Sequence, residues 1–261
     1  MTENSERVTY RVEDRVAVLT MQHPPVNAVD MVQIAAIHAG IRRADADPDV
    51  GAIVITSAVD GYFCAGMDLK MVQQGGVAAF RRFLETFYLD TLDLQHRLTK
   101  PTITAINGTA LGAGMTLSIT CDVAVVADDA RLGYPEINVG VLPAIHFAHL
   151  PRIAGRHRAF EHLFTGDPLP PETARELGLV NHVVPLADVL PRAMELGRKF
   201  ASKSPAIMAI GRRAFSRAND LDYRRDVGNQ VEMMCALMAT EDAREGLNAF
   251  AEKRKPVWTG K

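Results

Sequence analysis

The residues whose types and spacing first suggest chemistry lie between Pro101 and Asp122, PTITAINGTALGAGMTLSITCD. A β-branched apolar run, Thr102 to Ile106, stops at Asn107-Gly108. Gly112 and Gly114 follow, and an apolar run of helical character, Met115 to Ile119, ends near Cys121-Asp122. Strand, glycine-rich turn and helix leave backbone N–H groups unpaired where the helix begins. Such groups suit an anion, or an oxygen that becomes anionic, and glycine lets a ligand come close to the backbone. The same pattern describes an ordinary tight connection, so this stretch alone decides nothing. A second stretch, Ser57 to Leu69 (SAVDGYFCAGMDL), follows a buried-strand pattern at Ala52 to Thr56 and closes in Cys64-Ala65-Gly66-Met67-Asp68. Two strand-to-turn sources of N–H groups in one chain fit a two-donor oxyanion hole.

The blocks FCAGMDL, INGTALGAG, CDVAVVADDARLGYPEINVGVLP and FAEKRKPVW, in this order and spacing, resemble the enoyl-CoA hydratase/isomerase (crotonase) family. The resemblance runs from near Val8 to the C-terminus. It implies a CoA thioester whose carbonyl sits between two backbone N–H groups while its enolate forms. Matched motif by motif, these are the N–H of Met67, after Ala65-Gly66, and of Ala113, inside Gly112-Ala113-Gly114. Ala113 stands where glycine is more usual, but a backbone donor survives that change. Pre-aimed donors of this kind are worth about 3 kcal/mol each. Glu136, in Pro135-Glu136-Ile137, falls at the family's catalytic glutamate. A carboxylate removes a proton from carbon beside a thioester only if a dry site raises its pKa, and the surrounding Tyr134, Ile137, Val139, Val141 and Leu142 are compatible with that. Outside this motif, a loop glutamate is an ordinary solvated residue.

Two departures from the family pattern bear on the reaction. Hydratases of the family carry a second glutamate where this chain has Thr116. A threonine orients water but is a poor proton carrier at neutral pH. Glu136 alone suits migration of a double bond, from 3-enoyl-CoA to 2-enoyl-CoA, with hydration of 2-enoyl-CoA as the alternative. After Pro143, Ala144-Ile145-His146-Phe147 replaces a smaller, glycine-rich continuation and should reshape the acyl pocket. His146 and His149 share a helix face but lack a third ligand and any HExxH pattern, so no metal is expected.

For CoA, which is part of the substrate and not a separate cofactor, the resemblance points to Ala65, Gly66, Asp68, Leu69 and Gly112. Lys253 is its C-terminal phosphate candidate. The ordinary reading of the Lys253-Arg254-Lys255 cluster is a solvated helix end.

Two rival functions remain open. The glycines read GxxxGxG, not GxGxxG, and follow a hundred residues of chain, which argues against a dinucleotide-binding oxidoreductase. A non-catalytic acyl-CoA binder with a degenerate site fits Thr116 and the altered 144–147 region, but not the retained Glu136. No GxSxG of a serine hydrolase and no P-loop occurs.

The elements that must hold these residues follow from the pattern. Alternation at Val8, Tyr10, Val12 and again at Val16, Val18, Thr20 predicts an N-terminal hairpin. A helix is expected from Asn27 to Arg43, a strand at Gly51 to Thr56, and a polar, mobile segment at Gln73-Gln74-Gly75-Gly76. The aromatic side of a helix at Val77 to Leu98 (Phe80, Phe83, Phe87) reads as core packing. Further strands are expected at Val123 to Ala127, Arg131 to Gly133 and Val180 to Val184. Helices are expected over His146–Ile153, Arg156–Phe164, Pro171–Leu177, Leu186–Ser202, Pro205–Ala218, Leu221–Met238 and Glu241–Lys253. Periodicity alone gives an α/β fold with a helical tail. The resemblance implies a crotonase-like spiral of ββα units, with a core over residues 1–195 carrying the CoA and catalytic site. It implies a helical region over 196–261 that assembles trimers, alone or paired into hexamers.

The 261 residues are 48% hydrophobic, enough for a sizeable core. A net charge of -2 offers no attraction for nucleic acid. Three scattered cysteines form no CxxC motif or disulfide framework. No apolar run approaches the roughly 20 residues a membrane helix needs, and MTENSERVTY lacks a signal core. A cytoplasmic protein is the expectation.

Overall fold

The computed structural model describes residues 7–219 and 222–259, and of residues 71–74 the backbone alone. Strands β1 (Val8–Glu13) and β2 (Val16–Met21) pair antiparallel around Asp14-Arg15. Helix α1 (Met31–Ala46) starts later than its apolar spacing suggests. Asp30 is its N-cap, accepting the Gln33 N–H at 2.7 Å. Asn27, at φ +53, is buried, and its amide donates to Ser57 Oγ at 2.7 Å. Polar side chains bonding locally hold 27–30 out of the helix.

From here the chain winds in units of two strands and a helix. Strands β3 (Ala52–Ser57) and β4 (Tyr62–Cys64) lead to α2 (Leu69–Leu84), which passes through a π-helical segment, Glu85–Asp90, into α3 (Thr91–Arg97). Strands β5 (Thr102–Ile106) and β6 (Thr109–Leu111) lead to α4 (Ala113–Ile119). Strands β7 (Val123–Ala127) and β8 (Leu132–Gly133) lead to a 3-10 turn, Pro135–Val139. Helices α5 (Ala144–Ala154) and α6 (Arg156–Thr165), short strand β9 (Pro168–Leu169), α7 (Pro171–Glu176) and β10 (His182–Val184) complete this part. The first strand of each unit joins one sheet, ordered β1-β2-β3-β5-β7-β10, and the second joins a smaller one, β4-β6-β8-β9. Apart from β1 and β9 the pairings are parallel, which requires these crossovers. The large sheet's central strands are buried throughout, hence their unbroken apolar runs.

The α/β spiral is the expected fold. Three local differences stand out. Helix α2 starts at Leu69 rather than Val77 and takes in 73–76, interrupted only at Gly76 with φ +62; the side chains of Gln73 and Gln74 lie outside the described residues. The short strand β6 lies inside the glycine-rich turn, where Gly108 and Gly112 mask it. Helix α8 (Val189–Ala201) spans the expected boundary at 195/196 and buries Ala193, Met194 and Gly197, so it packs with the core. The helical region after it holds α9 (Pro205–Asn219), α10 (Tyr223–Leu237) and α11 (Glu241–Ala251); the expected start at Leu221 lies outside the described residues. Arg212 anchors α9. It is buried, donates from Nε to Asp122 Oδ2 at 2.9 Å, and from Nη2 to Gln95 Oε1 at 2.8 Å. Asp122 also accepts the Thr102 N–H at 2.7 Å, fixing the start of β5.

Among the described residues, no helix is long and apolar enough to cross a membrane.

Candidate active site

Three chain segments converge on one cavity, and each is set by its local sequence. Beyond β4, Val29 N–H donates to Gly66 O at 2.8 Å and Asp68 N–H donates to Val29 O at 2.9 Å. Val29 thus bonds both neighbours of Met67 in a parallel bridge, which turns Met67's own N–H away from Val29. The Asp68 carboxylate caps α2, accepting Lys70 N–H at 3.0 Å.

The second segment is the start of α4. Gly112 has φ +51, a conformation that disfavours side chains, and Ala113 opens the helix, where its N–H has no intrahelical acceptor. Gly114 seats this turn against β4: a Cβ there would lie 2.4 Å from Cys64 O. The two strand-to-turn segments are therefore packed side by side.

The third segment carries Glu136. Pro135 starts the 3-10 turn with its fixed φ, and Gly140 ends it in the left-handed region at φ +76. The Glu136 carboxylate reaches back over Gly112. As a residue Glu136 keeps part of its surface accessible, yet Oε2 is buried with no hydrogen-bond partner. Burial raises its pKa from 4.5 to about 7, partly offset by its own backbone N–H.

The cavity they share has a volume of about 580 Å³. Ala65 to Leu69 line it together with Gly112, Ala113 and Glu136. Phe80, Phe83 and Phe87 line it from α2 and the π-helical segment, with Leu84, Val141 and Leu142. These phenylalanines are nearly inaccessible to solvent, so the aromatic stripe is both core and cavity wall. Lys70 and Arg131 supply exposed cations on the lining. Met234 of α10 and Phe250 of α11 join it from more than 90 residues downstream.

Behind Glu136 lies a buried polar group that periodicity does not reveal. Burial, and then the Glu136 charge, push the Tyr134 and Tyr88 phenols upward. Tyr134 Oη, His146 Nδ1 and His149 Nδ1 are buried without partners. The His146 ring packs on Tyr134 with centroids 4.4 Å apart. Burial holds His146 well below 6.5 and brings His149 down to about 4, so both are neutral at pH 7. No group of three or more metal-binding side chains occurs among the described residues.

Thr116 and Lys253 stand apart from the cavity lining. Thr116 is buried, and its hydroxyl donates to Gly112 O at 3.3 Å. Lys253 is exposed beyond the end of α11. Sequence reasoning missed Lys70, Arg131, Tyr88, Met234 and Phe250; a cation two residues after the Asp68 cap was the one usable signal.

A parallel ββα spiral enclosing this cavity defines a crotonase-fold protein. A solved carnitinyl-CoA hydratase from Mycobacterium avium superposes with a TM-score of 0.85 at 30% identity, over 99% of this chain and 100% of that one. The chain belongs to the enoyl-CoA hydratase/isomerase family, whose model matches residues 11–261, and is an enzyme of that family. A probable mitochondrial enoyl-CoA hydratase of Dictyostelium discoideum is 33% identical over 97% of this chain and 91% of its own length. An enoyl-CoA isomerase/hydratase of Mycosarcoma maydis is 34% identical over 85% and 81%.

Proposed function

We propose that the enzyme binds an acyl-CoA thioester with its carbonyl between the N–H groups of Met67 and Ala113, and that Glu136 is the single acid/base acting on the enolate held there. The observation that carries this reading is Glu136 itself: a carboxylate with a pKa of about 7 and an unpartnered buried oxygen, on the wall of an apolar cavity. At neutral pH such a group is part ionised, so it takes a proton from carbon and gives it back. Lys70 and Arg131 are placed to meet the CoA phosphates, with Lys253 a further cation near the end of α11.

One buried carboxylate favours migration of the double bond from 3-enoyl-CoA to 2-enoyl-CoA. Glu136 takes a proton from one carbon, exchanges it with solvent and delivers one to another carbon, and no second carboxylate is required. Hydration of 2-enoyl-CoA is the second reading, supported by the names of the relatives. Mass spectrometry of the products from both enoyl-CoA isomers in heavy water separates them. A shifted double bond with deuterium and no added water supports isomerisation; addition of one water makes the enzyme a hydratase. Loss of either activity in Glu136→Gln assigns the acid/base, and an unaffected variant would refute the mechanism.

Helix α9 suits assembly into trimers or paired trimers, because its Ile207, Ile210 and Phe215 are 74%, 66% and 71% exposed. A reducing, cytoplasmic setting fits the three free thiols.

A further inference from the structure

The Gly112 carbonyl collects an unusual set of donors. It accepts the Thr116 N–H at 3.0 Å, as the first bond of α4. It also accepts the Thr116 hydroxyl at 3.3 Å, and Thr116 Oγ1 lies 3.3 Å from His146 Nε2. The Thr116 hydroxyl has a single proton, which the carbonyl can accept. His146 is itself hydrogen-bonded to the Gly112 backbone, which requires a proton on the ring nitrogen that faces it. With that proton on Nε2, His146 donates to the Thr116 Oγ1 and Gly112 O pair, and Nδ1 is the nitrogen left without a partner. Both side chains are buried, at 2% and 1% exposure, so water does not compete.

The Gly112 C=O and the Ala113 N–H belong to one planar peptide unit. Donors on the oxygen draw electron density through the amide and make the N–H on the far side a stronger donor; chains of such bonds reinforce one another by roughly 10–30% each. They also hold the peptide at the angle set by the Gly112 ψ of -106°. We propose that Thr116 and His146 are positioning residues that polarise and orient the Gly112–Ala113 peptide from behind, so that Ala113 N–H binds the thioester oxygen more strongly in the transition state. The inference rests on the proposed placement of the thioester carbonyl at Ala113. It gives Thr116 a role without contact with substrate, and it gives His146 a reason to be buried and neutral.

The test uses hexanoyl-CoA carrying ¹³C at its thioester carbonyl, which lacks the reactive double bond, and reads the carbonyl stretch by infrared difference spectroscopy. Bound to the full-length wild-type enzyme, the stretch should move to lower frequency. In Thr116→Val and His146→Phe the displacement should shrink, and kcat with an enoyl-CoA substrate should fall about tenfold with KM changed less than threefold. Thr116→Ser and His146→Gln, which restore a donor, should recover most of both readouts. They also keep the test valid should an apolar variant fold poorly. An undisplaced wild-type carbonyl would overturn the placement of the thioester and this inference with it. A displaced wild-type carbonyl with equal displacement in Thr116→Val and His146→Phe would overturn this inference alone. So would parallel loss of folding and activity in the Ser and Gln variants, because a role in packing then accounts for the residues.

Discussion

The Glu136 carboxylate rests on the α-carbon of Gly112, so close that a methyl group added there would lie 2.8 Å from Oε1 and 3.2 Å from Cδ. The proposed acid/base and the peptide of one proposed oxyanion donor are therefore held against each other with no room for a side chain. Gly112→Ala should displace the carboxylate and strain a backbone at φ +51, costing about 1–2 kcal/mol of stability. The expected result is a fall in kcat of at least about 100-fold, with acyl-CoA affinity by calorimetry changed much less.

Glu136 should set the pH profile. As base it must be ionised, so kcat should rise with pH through about 7. Glu136→Gln should lower kcat by about 10²–10⁴-fold at pH 8. A profile flat from pH 5 to 9 would remove Glu136 from the rate-limiting proton transfer.

The same group predicts a stability effect of opposite sense. Between about 4.5 and about 7 the folded protein keeps a proton that the unfolded chain releases. Folding therefore weakens as pH rises through that window, then levels off, by on the order of 3 kcal/mol. Glu136→Gln carries no such cost. Its melting temperature should exceed that of wild type by several degrees at pH 8 and match it at pH 4, measured by calorimetry.

Phe87 should set acyl size. It is 2% exposed and lines the cavity, so Phe87→Ala should cost about 3–5 kcal/mol in stability. The enlarged wall should shift the ratio of kcat/KM toward longer acyl chains, by about 10-fold or more per added methylene accommodated. An unchanged chain-length profile in the folded variant would place the acyl group elsewhere.

Much of the site was legible because it depends on backbone. Glycine at 112 and 114 and small residues at 64–66 mark places where the chain must bend or approach closely, and no distant partner is needed to recognise them. Pro135 and Gly140 likewise punctuate the turn of Glu136. What stayed hidden depends on neighbours remote in sequence. Phe80, Phe83 and Phe87 look the same whether they face solid core or a cavity. Met234 and Phe250 reach the cavity only through the packing of α10 and α11. Thr116 and His146, 30 residues apart, read as a missing carboxylate and a stray imidazole until their hydrogen bond is seen. The start of α1 was misplaced because Asn27 and Asp30 bond locally, against an apolar spacing that runs on through them.

Helix α11 meets the Glu136 turn backbone to backbone: a Cβ on Gly246 would lie 2.6 Å from Val139 O and 2.7 Å from Gly140 N. Gly246→Val should therefore abolish turnover in protein that still unfolds cooperatively, since the displaced turn carries Glu136; kinetics beside thermal unfolding would show it. The contact also ties α11 to the proposed chemical step. A chain ending at residue 240 would hold every group proposed for proton transfer and keep Gly166 packed against Ile137 and Asn138, but it would lose the backbone contact of Gly246 with the Glu136 turn. Such a shortened chain should bind thioesters but turn them over far more slowly than one that carries α11.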